Sequence, residues 1–312
     1  MRDTAIEVSG LRKAYGDKTV LDGIDLTVEA GTIFSLLGPN GAGKTTAVNV
    51  LTTLTGADGG TVRVGGHDIA REPKAVRSVI GVTGQFAAVD ELLTGEENLQ
   101  LMADLHRVGR RSVPELLERF DLTGSAKKLS STYSGGMRRK LDLAMTLVGT
   151  PRIIFLDEPT TGLDPRSRRT MWSIIRELVA DGVTVLLTTQ YLDEADHLAD
   201  RVAVLDQGRL VAQGTPAELK RQIPGAHVRL RFAGVSDLDA AARALTGATP
   251  DQESLSLKVA SDGSTKSLRA LLDRLAEHEI DAEELSVHTP DLDDVFLALT
   301  GHNSASTEAV AK

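Results

Sequence analysis

Nine consecutive residues carry the clearest chemistry in the chain. Gly38-Pro39-Asn40-Gly41-Ala42-Gly43-Lys44-Thr45-Thr46 is spaced as G-x-x-x-x-G-K-[ST] between an apolar run and a helical pattern. Glycines let backbone amides approach an anion closely, and amides at a helix start form a phosphate site. In such a loop Lys44 reaches the β and γ phosphates of a nucleotide, and the Thr45 hydroxyl ligates magnesium. A magnesium nucleotide also needs a carboxylate at the end of a neighbouring strand. Ile153-Ile154-Phe155-Leu156-Asp157-Glu158 offers two, because four apolar residues bury the strand and both acids emerge at its carboxyl end, where α/β sheets place ligands. Asp157 is read as holding the metal, directly or through water, and Glu158 as the general base for the attacking water. Standing alone, the pair would more often be a helix cap; beside the phosphate loop the chemical reading wins.

The elements that must position these residues follow from hydrophobic periodicity. Thr32 to Leu37, Ile153 to Leu156, Val183 to Thr188 and Arg201 to Leu205 are near-continuous apolar runs, suited to strands buried on both faces of a parallel sheet. Ile6 to Ser9, Ile24 to Val28 and Thr61 to Val64 are short and broken by glycines, as in antiparallel hairpins. Ala47, Val50, Leu51 and Leu54 recur at helical spacing, as do Met137, Leu141, Ala144, Met145 and Val148. From about residue 93 to 150 the pattern is helix-rich and reads as a helical insertion. The turn at Ile223-Pro224-Gly225 ends a first domain, 1–223, and opens a second, 224–301. Alternating strands and helices make the second a small α+β sandwich of ferredoxin-like kind. Residues 302–312 are small and polar and are expected to be disordered.

Composition bounds the class. With 312 residues the chain has room for two cores, and 41% apolar with 25% charged residues is ordinary globular usage. The absence of cysteine excludes a disulfide framework, a thiolate zinc site and a cysteine nucleophile. The longest apolar stretches, such as Val183 to Leu187, fall far short of the roughly 20 residues a membrane helix needs, and the amino terminus reaches Glu7 before any apolar run. The expectation is a chain neither exported nor membrane-spanning. From Pro224 onward there are 8 Lys and Arg against 15 Asp and Glu, which carries most of the net charge of −9 and argues against nucleic acid as a partner of the tail.

Thr132-Tyr133-Ser134-Gly135-Gly136-Met137-Arg138-Arg139 resembles the signature motif of ATP-binding cassette (ABC) proteins, with Tyr133 and Met137 where the family usually has Leu and Gln. Other family motifs follow in order over Ile6 to Gln222. The resemblance makes Tyr15 the aromatic that stacks on adenine, Gln85 the Q-loop glutamine that links magnesium to a membrane partner, and Asp164 of Thr161-Gly162-Leu163-Asp164 a D-loop contact to the opposite subunit. Where the family usually has a histidine contacting the γ-phosphate, this chain has Gln190. An amide donates a hydrogen bond there but carries no charge. The expectation is that Gln190 keeps the positioning role.

Leu187 to Asp196, the surroundings of Gln85, the Ser134-Gly135-Gly136 segment and the tail Pro290 to Leu297 together look like the daunorubicin/doxorubicin-resistance branch of these ATP-binding subunits, as far as Gly301. The resemblance implies an α/β P-loop NTPase of the ABC ATPase fold, with a mixed sheet core, an antiparallel flap and a helical subdomain. It implies ATP and Mg2+ as ligands, and a homodimer in which Ser134, Gly135, Gly136 and Met137 of one copy meet ATP on the phosphate loop of the other. It also implies an integral-membrane permease of the ABC-2 type and a place at the cytoplasmic face of the membrane, powering efflux of a drug, antibiotic or lipid-like compound. The competing class is a non-transport ABC ATPase or a nucleotide-binding regulator with little turnover. The retained Glu158 weighs against the regulator. The long coiled coil, second cassette or zinc cysteines of the soluble ATPases are missing from the sequence.

Overall fold

A computed structural model describes residues 3–221, 227–261, 264–288 and 291–300. The expected boundary at Ile223-Pro224-Gly225, Pro290 and the tail from Gly301 lie outside them. Chain contacts divide the protein into two compact units, Met1–Pro216 and Ala217–Lys312.

In chain order the first unit comprises β1 (Thr4–Tyr15), β2 (Lys18–Glu29), β3 (Ile33–Leu37), α1 (Lys44–Leu51), β4 (Gly59–Val64), β5 (His67–Asp68), α2 (Pro73–Val79), β6 (Ile80–Thr83), α3 (Gly95–His106), α4 (Ser112–Arg119), α5 (Gly135–Leu147), β7 (Ile153–Asp157), α6 (Pro165–Ala180), β8 (Thr184–Thr189), α7 (Leu192–Leu198), β9 (Arg201–Asp206) and β10 (Arg209–Gly214). A central sheet runs β10-β9-β3-β8-β7-β6, parallel except for β10, and a four-stranded antiparallel sheet runs β2-β1-β4-β5.

Every residue of β3, β7 and β8 is buried. Alternation along the strands sends successive side chains to opposite faces. Phe34, Leu36, Ile153, Phe155 and Leu186 join a core with α1 and the antiparallel sheet. Ile33, Ile154, Leu156, Val185 and Leu187 join a second core with α3, α5 and α6. Fully burying one such side chain stabilises by about 1.5–3 kcal/mol. These five-to-six-residue runs therefore hold the strand ends that carry the site as firmly as anything in the molecule. Strand β6 escapes sequence reading. Gly81 interrupts it, and a Cβ there would come within 2.4 Å of the Thr146 methyl, so the packing of α5 against the sheet excludes a side chain that would have marked the strand.

The helical stretch begins at α3 with a reciprocal cap: the Thr94 hydroxyl accepts from the Glu97 amide while the Glu97 carboxylate accepts from the Thr94 amide.

In the second unit, after α8 (Pro216–Arg221), come β11 (His227–Arg231), α9 (Val235–Ala244), β12 (Thr249–Asp251), β13 (Ser256–Ala260), α10 (Thr265–Glu277), β14 (Glu284–His288) and α11 (Leu292–Thr300). The sheet order β12-β13-β11-β14 is the ferredoxin-like one, antiparallel throughout. Val228, Leu230, Leu257, Leu238 and Leu271 form its own core. Strand β12 has no apolar residue and is exposed along its length, which is why the hydrophobic pattern does not announce it.

Candidate functional site

Beyond Leu37 the chain leaves β3 over a neighbour's backbone. A Cβ on Gly38 would lie 2.2 Å from the Leu205 carbonyl oxygen, so only glycine passes. Gly43 has φ 111° with Val20 and Leu21 against it, and α1 starts at the next residue with no side chain capping its first amides. Uncapped amides at a helix start attract an anion.

Lys44 is buried. Its Nζ donates to the Gly38 carbonyl at 2.8 Å and the Pro39 carbonyl at 3.1 Å, and stands 3.4 Å from Glu158 Oε1. Burial pushes the Lys44 ammonium below its usual range, and the carboxylates of Glu158 and Asp157 oppose that. Asp157, the last residue of β7, is buried and accepts a hydrogen bond from the Thr188 hydroxyl on β8. Glu158 follows at φ 49°, a left-handed backbone uncommon for any residue but glycine. Its amide donates to the Thr188 carbonyl at 3.2 Å, and its carboxylate accepts from the Thr161 hydroxyl at 3.2 Å. Strain of this kind persists where the surroundings over-determine it, and it clusters at reactive centres.

A cleft of about 810 Å³ is lined by Tyr15, Asn40, Gly41, Gly43, Lys44, Thr45, Thr46, Gln85 and Glu158, together with Gln207 and Gly208. Tyr15 is half exposed there. Gln207 and Gly208 escaped sequence reading because a β9–β10 hairpin turn carries no chemical signal of its own. Gly38 and Asp157 are not among the residues lining the cleft, although each adjoins it in sequence or through Lys44, and Gln190 follows the end of β8, whose Thr189 carbonyl accepts from the Gly38 amide at 3.2 Å.

Ser134, Gly136 and Met137 are not among the residues lining that cleft. Ser134 caps α5, its hydroxyl accepting from the Met137 amide at 3.3 Å, and it is exposed. Gly135 lines a separate cavity of about 340 Å³ with Gln85, Arg138, Arg139 and Thr161, so Gln85 borders both. Asp164 caps α6, accepting from the Arg166 and Ser167 amides at 3.0 Å. Tyr133 is buried, donates from its hydroxyl to the Ser125 carbonyl at 2.7 Å, and reaches so close to Gly95 that a Cβ there would sit 2.2 Å from the oxygen. Arg139, three residues after Gly136, is buried and donates to both the Asp157 and Glu158 carbonyls.

The indole N–H of Trp172 donates to Glu194 at 3.0 Å; Thr160 donates to the same oxygen at 2.8 Å. Glu194 is fully buried, and burial raises its carboxyl above the ordinary 4.5. A raised folded value means stability that is full below the unfolded value and lost as pH rises through the folded one. Glu194→Gln keeps both acceptor bonds without titrating. Thermal unfolding of both proteins from about pH 4 to about pH 8 should therefore show the parent losing ground to the variant as pH rises. Parallel curves would refute this.

Glycines where a Cβ has no room, a buried lysine among loop carbonyls, an exposed Thr45 hydroxyl and a carboxylate at a strand end fit a nucleotide phosphate with its divalent cation. Comparison with known proteins agrees. Residues 21–161 match the family model described as ABC transporter. A daunorubicin resistance ATP-binding protein of Streptomyces coeruleorubidus is 50% identical over 99% of this chain and 100% of its own length. The solved ATP-binding subunit of an ABC transporter superposes with a TM-score of 0.63 at 29% identity, covering 70% of this chain and 92% of that one. A dimeric ATP-binding cassette bound to ADP and Pi superposes at 0.62 with 25% identity, over 67% and 98%. The chain belongs to the ATP-binding, ATP-hydrolysing subunits of ABC transporters, in the daunorubicin/doxorubicin-resistance group.

Proposed function

We propose that two copies of this chain close on two ATP molecules and drive export of a hydrophobic drug-like compound through a separate integral-membrane permease, at the cytoplasmic face of the membrane. The observation that carries the two-copy reading is the separation of the halves: Tyr15, the phosphate loop, Gln85 and Glu158 share one cleft, while exposed Ser134 at the start of α5 lies outside it. A helix start with an exposed serine is an anion site waiting on the other side of a nucleotide. In this reading Tyr15 stacks on adenine, and residues 38–46 wrap the phosphates. Glu158 takes the proton of the attacking water, Gln190 orients it by a hydrogen bond, and Ser134, Gly135, Gly136 and Met137 of the second copy complete the site. Asp164 lies where the two copies meet. Thr45, Asp157 and Gln85 would hold Mg2+, which offsets charge on the transferred phosphoryl group.

ATP favours the closed pair and hydrolysis reopens it, so work reaches the permease as a difference in affinity between two states. Phe86, next to Gln85, and Leu92 further along the chain are exposed and are the surface offered to that partner. Daunorubicin as the test compound is taken from the name of the 50% identical relative, a daunorubicin resistance ATP-binding protein. The test uses the tagged chain with the membrane protein that co-purifies with it, placed in vesicles, and follows daunorubicin fluorescence. ATP-dependent drug movement that Glu158→Gln abolishes is the expected result. Steady ATPase activity with no membrane partner and no drug movement would overturn export in favour of a non-transport ATPase.

A further inference from the structure

The most densely bonded side chain near the acids belongs to a residue that neither binds phosphate nor lies in the nucleotide cleft. Arg139, five residues after Ser134 on α5, donates from Nη1 to the Gly84 carbonyl at 2.7 Å, from Nη2 to the carbonyls of Asp157 at 3.1 Å and Glu158 at 3.2 Å, and from Nε to Pro159 at 3.0 Å. Its fifth contact is Asp142 Oδ2, at 3.4 Å from Nη1. A guanidinium has five N–H donors, and all five are used. Asp142 in turn accepts from the Ala88 amide at 3.0 Å. One buried pair on one helix thus grips both ends of the Gln85 loop and the turn that carries Glu158.

A buried ion pair is a poor source of net stability, because desolvation cancels most of the attraction. Burial pushes Arg139 down and Asp142 up, the mark of that cost on both sides. Three of the four carbonyls it gathers belong to the segment where Glu158 holds its left-handed backbone, which persists only under external constraint.

We infer that Arg139, oriented by Asp142, is a positioning residue for hydrolysis: it locks the Gln85 loop and the Asp157–Pro159 turn to the helix that begins at the signature segment. Ser134 lies about 7.5 Å up the helix axis from Arg139. A shift of the signature helix on closure therefore carries the Glu158 backbone and the Gln85 loop with it. The inference rests on the roles given above to Glu158 and Gln85.

Lysine keeps the charge but is a point donor that cannot bridge four carbonyls in three directions. In the full-length chain with MgATP, Arg139→Lys is expected to lower kcat at least about tenfold, with ATP Kd within about twofold and one ATP bound per chain, because misplacement rather than binding is the defect. Asp142→Asn, which keeps an acceptor for Ala88, should lower kcat in the same sense and serves if the lysine variant does not fold. Combined with Gln85→Ala, the Arg139→Lys loss should be less than additive, since both act through one loop. A kcat within about twofold of the parent, a loss matched by fewer ATP molecules bound per chain, or full additivity would each overturn the inference. Glu158→Gln is run alongside. If it alone keeps the parent rate, the base assignment fails; if it is inactive while Arg139→Lys is not, the positioning role fails.

Discussion

Glu158→Gln should stop turnover and leave ATP bound. General-base catalysis is worth about a hundred- to ten-thousand-fold in rate, and kcat is expected to fall by that amount. Glutamine matches the shape, and its oxygen still accepts from Thr161, which now donates to the carboxylate. What disappears is the basic oxygen and the negative charge 3.4 Å from Lys44. Since Lys44 is already pushed down by burial, losing that neighbour moves it further the same way, and bound phosphate becomes its compensating anion. The variant should therefore hold ATP at least as long as the parent, measured by filter retention of labelled nucleotide alongside single-turnover hydrolysis. Parent-like hydrolysis would remove Glu158 from the mechanism.

Two inactive variants should restore one another when the second partner lies in another chain. Lys44→Ala breaks the phosphate loop, and Ser134→Arg fills the start of α5 with a bulky cation; each alone should lose nearly all activity. In a mixed dimer the loop of the serine variant faces the signature of the lysine variant, and that site is intact. Equal mixing, with random two-fold pairing and independent sites, should return about a quarter of the parent rate. Lys44→Ala mixed with Glu158→Gln should return almost none, because Lys44 and Glu158 line one cleft in the same chain and no mixed dimer has an undamaged site. Steady-state phosphate release after mixing and reassociation decides it. If the first mixture stays inactive, the two-copy reading falls.

The phosphate loop, the Asp157-Glu158 pair and the strands under them were legible because burial on both faces leaves uninterrupted apolar runs such as Ile153 to Leu156. Strands β6 and β12 were not, since Gly81 and the exposed Thr249–Asp251 lack that imprint. Residue type announced Lys44 and Glu158 at once. It was silent on Thr188, an ordinary threonine in an apolar strand until its hydroxyl is seen to donate to Asp157. Arg139 hid for the opposite reason: among Arg138, Arg139 and Lys140 it looks like solvent-facing charge, and only the fold turns one of the three inward, while its neighbour Arg138 pairs with exposed Glu91. Partners distant in sequence, at separations of 31 residues for Asp157 and Thr188 or 55 for Gly84 and Arg139, leave no local pattern to read.

The contact between Tyr133 and Gly95 makes the residue at one position depend on the residue at the other. A tyrosine where the family usually has leucine places a hydroxyl in the space that any side chain on residue 95 would need. With tyrosine at 133, a side chain at the start of α3 requires the ring to move and its bond to the Ser125 carbonyl to give. Leucine at 133 has no hydroxyl and would leave that space to a side chain at 95. The departure from the usual signature is thus matched by a residue 38 positions upstream, outside every motif.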